Sequence, residues 1–75
     1  MEKSELRLWD LVVDTRRDKP GRVMGHEGPY VQLRPPGGGR EWDADPGVLR
    51  RPTADERRRA QTSEAPVTRA KGVSL

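Results

Sequence analysis

Leu6-Arg7-Leu8-Trp9-Asp10-Leu11-Val12-Val13-Asp14 is the stretch that decides the fold. Within it Trp9, Leu11 and Val13 alternate with Asp10, Val12 and Asp14, the period of a strand with one buried face. Thr15 to Gly21 then reads as a charged turn closed by Pro20-Gly21, and Arg22-Val23-Met24-Gly25 as a second short strand. After a Gly28-Pro29 turn, Tyr30-Val31-Gln32-Leu33-Arg34 alternates cleanly, with Val31 and Leu33 on one face and Tyr30 out of phase with them. Pro35-Pro36-Gly37-Gly38-Gly39 cannot continue a ladder, because proline lacks the donor and a glycine triplet is costly to order. Arg40-Glu41-Trp42-Asp43 follows as a fourth strand with Trp42 inward. Asp45-Pro46-Gly47 is a tight turn or one turn of 3₁₀ helix, and Val48-Leu49-Arg50-Arg51 a short closing strand. Five short strands spaced about ten residues apart predict a small all-β barrel or sandwich.

The large apolar residues lie almost entirely between Leu6 and Leu49, so residues 6–53 are the expected folded unit and residues 1–5 are expected to be frayed. With 31% apolar and 36% charged residues, a 75-residue chain can build only an economical core. After Pro52 the composition changes. Thr53-Ala54-Asp55-Glu56 fits a capping box, giving a short nascent helix over 54–61, and the remainder of 54–75 is expected to be a disordered, flexible basic tail. The chain has no cysteine, which removes disulfides and thiolate metal sites and favours a reducing, cytoplasmic setting. No apolar run approaches the ~20 residues needed to span a bilayer, so no membrane role is expected.

Asp10 to Asp14, the charged turn, Gly21 to Gly25 and Tyr30 to Leu33 together resemble a KOW-type segment, with Asp10 and Gly21 at matching positions and Trp9 where that motif commonly has glycine. The wider stretch, residues 8–52, resembles the Src-homology-3-like barrels of KOW and Tudor-like proteins and of small actinobacterial-type proteins without assigned activity. The resemblance implies a five-stranded Src-homology-3-like barrel that binds RNA, ribosomal or polymerase partners, or peptides. It bears on fold more directly than on ligand.

Residue chemistry argues against catalysis. The single histidine, His26, lies in a glycine-flanked turn, and without cysteine there is neither a His/Cys metal cluster nor a Cys-His pair. Glu41, Asp43 and Asp45 are close in sequence, but acid–base work needs a pocket that separates their pKa values, and so small a core has little room for one. Gly37-Gly38-Gly39 leads into a strand and lacks the Lys-Ser/Thr of a phosphate loop, so it reads as a hairpin connection. No cofactor and no metal are expected, and the chain is expected not to be an enzyme.

Two groups of residues are suited to binding. Tyr30 and Trp9 could form an exposed aromatic platform, although a tryptophan in a chain without phenylalanine can equally be core. Arg16, Arg17, Arg22, Arg34 and Arg40 surround the strands, and Arg57, Arg58 and Arg59 form a run in the tail. Arginine beside aromatic rings suits phosphate and base contacts. Through Thr53, however, ten basic residues face nine acidic ones, so no general polyanion field is established. The expected function is therefore a monomeric, non-catalytic adaptor that binds a protein or peptide. The alternative is a KOW-like nucleic-acid-binding module using the same arginines.

Overall fold

A computed structural model describes the backbone of residues 1–72 and the side chains of residues 1–64. Five strands, β1 (Leu11–Asp14), β2 (Lys19–Glu27), β3 (Tyr30–Arg34), β4 (Trp42–Ala44) and β5 (Leu49–Arg50), form one antiparallel sheet in the order β4-β3-β2-β1-β5. The sheet curls into a half-barrel. Its edges are β4 and β5, which are not hydrogen-bonded to each other, so the ladder stays open where a closed barrel was expected.

Local chemistry explains most of the connections. At the end of β1 the Asp14 carboxylate accepts hydrogen bonds from the backbone amides of Arg16 (2.8 Å) and Arg17 (3.1 Å), an Asx turn that sends the chain back along β2. β2 begins earlier than the sequence predicts. Pro20 and Gly21 were expected to close a turn, but they sit inside the strand, paired with Val13 and Val12. Gly21 is required there for packing: a Cβ on it would lie 2.9 Å from Leu33 Cβ and 3.0 Å from the Trp42 ring. A bulge between Val23 and Gly25 bends β2 where it pairs with β3. Gly28, with φ of 57°, and the fixed negative φ of Pro29 then match a II′ hairpin turn. Asp45 accepts a bond from Gly47 N (2.8 Å) and caps a 3₁₀ turn over Pro46–Val48, which delivers β5 back to β1.

Inside the curl, Leu6, Val12, Val23, Val31, Leu33, Ala44 and Leu49 make the core, with Met1, Trp42 and Val48 packed against it. Residues 1–5, expected to be frayed, carry local structure. Lys3–Glu5 forms a 3₁₀ turn, and the Met1 ammonium donates to the Pro46 carbonyl (2.9 Å).

The sequence reading of β1 is also corrected. Its alternation puts Trp9, Leu11 and Val13 on one face, with Trp9 either core or surface. Leu11 and Val13 are buried and Trp9 is exposed, but it is Val12 that joins the core cluster inside the curl. Leu11 and Val13 lie on the opposite face, shared with Pro20 and Arg22 by strand register. All four β1 side chains are buried: Val12 and Asp14 face the curl, where Asp14 meets Trp42, and Leu11 and Val13 lie on the second face, against which a helix, α1 (Ala54–Gly72), is set. The chain is mostly β, as expected, but the short helix expected over 54–61 is longer, running to Gly72. α1 opens on the predicted capping box, with Glu56 N donating to Thr53 Oγ1 (3.1 Å) and Thr53 N to Glu56 Oε1 (2.8 Å). It is held to the sheet by Ala60, which is buried, and by two ion pairs, Arg50–Glu56 and Arg22–Glu64. The expectation of a disordered tail at residues 73–75 lies outside the described residues.

Candidate functional site

Arg7-Leu8-Trp9-Asp10 forms a four-residue turn just before β1. Asp10 N donates to the Arg7 carbonyl (3.0 Å), and Arg7 N donates to the Asp10 carboxylate (3.0 Å). Trp9 sits at its third position with φ of 72°, the left-handed region that a turn of this kind normally assigns to glycine. For a side chain as large as tryptophan, that conformation costs about 1–2 kcal/mol. Neighbouring backbone holds it in place: Trp9 N donates to the Val23 carbonyl (2.7 Å) and the Arg22 guanidinium donates to the Trp9 carbonyl (3.0 Å). The Val23 amide in turn donates to the Asp10 carbonyl (2.9 Å). Leu8 and Trp9 at the turn's tip are each 60% exposed, so two large apolar side chains stand in solvent side by side.

Beside Trp9 opens a notch of about 270 Å³. Its walls are Trp9, the cross-strand neighbours Arg22 and Arg34, the loop Pro35–Gly38, and Ser63 and Glu64 of α1. Arg22 is engaged twice by Glu64, Nε to Oε2 at 3.1 Å and Nη2 to Oε1 at 3.0 Å, a bidentate pair that pins the helix at the notch. Arg34 is exposed, and among the described residues no carboxylate lies within ion-pair distance of it.

A second cluster occupies the β1–β2 end of the sheet. Trp42 lies half-buried over Gly21 and donates its indole N–H to Asp14 (2.8 Å), while Lys19 stands 4.2 Å and Arg17 5.9 Å from its ring centre. Burial of the Asp14 carboxyl would raise its pKa. The bonds from Trp42, Arg17 N and Arg16 N, with the Arg17 guanidinium nearby, outweigh that and hold it below the usual aspartate value. This buried carboxylate ties the end of β1 to the turn that follows it and to β4, and is a structural staple.

The other sequence candidates are dispersed. Arg16 and Arg17 belong to the Asp14 turn, at the end of β1 away from Trp9. Tyr30 is exposed, as its strand phase predicts, but it stands at the β2–β3 hairpin and does not line the notch. Arg40 is exposed in the β3–β4 connection. In α1, Arg57 is exposed, Arg58 pairs with Asp55 (2.9 Å), and Arg59 lines a groove with Val13, Asp18, Lys19, Pro20 and Glu56. Of the residues singled out from sequence, Trp9, Arg22 and Arg34 come together. Leu8, Pro35, Pro36 and Glu64 were missed as parts of this surface. A Pro-Pro pair one residue after a strand arginine was the available signal for the loop wall, whereas Glu64 reaches the notch only because α1 folds back over β1.

Among the described residues no cluster of three or more His, Asp or Glu side chains could hold a metal ion, and no helix is long and apolar enough to cross a membrane. No family model, curated protein or solved structure matches this chain.

Proposed function

We propose that this chain is a non-catalytic binding module of the small Src-homology-3-like kind, and that it docks a peptide segment of a protein partner in the notch beside Trp9. One observation carries this: an exposed indole is held in a backbone conformation suited to glycine, at the mouth of a notch walled by two prolines. A large apolar residue left three fifths exposed at a strained position adds little net stability to the monomer, and such strain concentrates at binding and catalytic positions. Tryptophan is the side chain most enriched among residues that dominate protein interfaces, where an apolar ring and one N–H serve together. The neighbouring Leu8 extends the apolar tip, and Pro35 and Pro36 offer a rigid wall whose ordering costs little entropy. The notch is the size of one or two side chains, which suits a short linear segment better than a flat protein face.

Selection of a random peptide library on the immobilised full chain, counter-selected on Trp9→Gly, tests the proposal. The expected result is a set of peptides that bind the native chain with micromolar or better affinity and lose binding on the variant. Recovery of no Trp9-dependent peptide would overturn it. Parallel titration with single-stranded and duplex oligonucleotides addresses the nucleic-acid alternative. Oligonucleotide binding that falls steeply with salt, with no peptide binders, would replace the peptide reading with that one.

A further inference from the structure

Resting on that peptide-docking reading, we infer that the notch selects a peptide carrying a carboxylate next to an apolar residue, with Arg34 as the residue that reads the carboxylate. Arg22 and Arg34 are direct cross-strand partners on one face of the β2–β3 pair. Like charges placed opposite one another repel, so each guanidinium there needs an anionic partner. Glu64 supplies one carboxylate, bound bidentately to Arg22. The second guanidinium, on Arg34, is exposed at the notch without a carboxylate in reach among the described residues. The notch therefore carries one unmatched positive charge beside an apolar wall of Trp9, Pro35 and Pro36.

A planar guanidinium pairs with a carboxylate through two parallel N–H···O bonds, the geometry that Glu64 already shows on Arg22 one strand away. A bound Asp or Glu would repeat that geometry on Arg34 and place the adjacent residue against the indole. A nucleic-acid strand suits this surface less well. Its run of phosphates would have to pass the Glu64 carboxylate in the same notch.

Peptides recovered as Trp9-dependent binders test this directly on the full chain. Each is synthesised with its acidic residues changed singly to the amide (Glu→Gln or Asp→Asn), and affinities are measured by tryptophan fluorescence. The expected result is that one acid in each peptide matters, its amide analogue binding about tenfold more weakly. On Arg34→Gln the acidic peptide and its amide analogue should bind equally, with residual affinity still dependent on Trp9. Binders that lack an acidic residue, or whose amide analogues bind unchanged, would overturn the carboxylate inference and leave peptide docking intact. A charge preference that persists on Arg34→Gln would overturn the assignment to Arg34. Absence of any Trp9-dependent peptide would overturn peptide docking itself, and this inference with it.

Discussion

Replacing Trp9 by glycine and by alanine gives a test of the turn in which the sign of the difference is diagnostic. Both substitutions remove the same indole. Trp9 is 60% exposed, so about two fifths of a side chain able to bury 150–250 Å² is lost from contact. That is roughly 60–100 Å², or about 1.5–2.5 kcal/mol at ~25 cal/mol per Å², and less if the unfolded chain is itself compact. The two variants differ only in the backbone. Alanine keeps the Cβ and with it the ~1–2 kcal/mol penalty of a left-handed φ of 72°. Glycine relieves that penalty but brings back about 0.5–1 kcal/mol of unfolded-state freedom. Trp9→Gly should therefore be more stable than Trp9→Ala by about 0.5–1 kcal/mol, and within about 2 kcal/mol of the native chain. At an ordinary φ the order is reversed, with alanine ahead by a similar amount. For a chain of this size the expected gap is about 2–8 °C in Tm. Thermal unfolding followed by far-ultraviolet circular dichroism, with Trp42 fluorescence as a second probe, measures it. If Trp9→Ala melts at or above Trp9→Gly, the residue is not held left-handed, and the argument that an unusual conformation is retained for its exposed indole fails.

Four further outcomes are expected. Gly21→Ala should cost about 1–3 kcal/mol, since the added methyl meets Leu33 Cβ at 2.9 Å and the Trp42 ring at 3.0 Å, and an unchanged urea midpoint would show that Trp42 does not cross this strand. Leu33→Ala should cost about 2–5 kcal/mol and Tyr30→Ala under about 1 kcal/mol, because Leu33 is fully buried and Tyr30 points outward; equal losses would mean the phase of β3 is inverted. Acid should unfold the protein in part through Asp14. Its folded pKa lies below its unfolded value, so its contribution is present above about pH 4 and is lost as pH falls through the folded value, and urea midpoints should be level from pH 7 to 5 and decline below 4. Asp14→Asn should flatten that acid limb, and an unchanged slope would remove Asp14 as its cause. Glu56, drawn down from 4.5 to about 2 chiefly by its bonds from Arg50 and from Thr53 N, acts with the same sign, its contribution being lost as pH falls through that interval. Finally, Glu64→Gln should speed amide hydrogen exchange in α1 while leaving β2 and β3 protected, and equal protection would mean that the Arg22 pair does not hold the helix down.

Much of this architecture is legible in the amino-acid order because its causes are local. Val31 and Leu33 alternate with polar neighbours, so β3 appears over Tyr30–Arg34, and Tyr30 is outward as its phase requires. Asp45-Pro46-Gly47 makes its own 3₁₀ turn, and Thr53 with Glu56 caps the helix that follows. Each of these depends on residues no more than a few positions apart. The course of β1 is different. Leu11, Val12 and Val13 form an unbroken apolar run, and such a run does not reveal which residue faces which layer when both faces are covered. Here Val12 enters the curl and Leu11 and Val13 lie beneath α1.

The remaining decisions belong to tertiary structure because they join residues far apart in the chain. Gly21 must be glycine because Trp42, on a strand two places away in the sheet, lies across it, and no local signal distinguishes it from a turn residue. Trp9 leaves the core because the Val23 carbonyl and the Arg22 side chain fix its turn, although its spacing from Leu11 and Val13 places it in an alternating strand. The candidate site exists only because Glu64, forty-two positions after Arg22, returns to satisfy one of two adjacent guanidinia and leaves the other open. Strand period and turn chemistry are short-range and can be read along a sequence. Charge balance at a surface, and which face a helix covers, are sums over neighbours that only folding assembles.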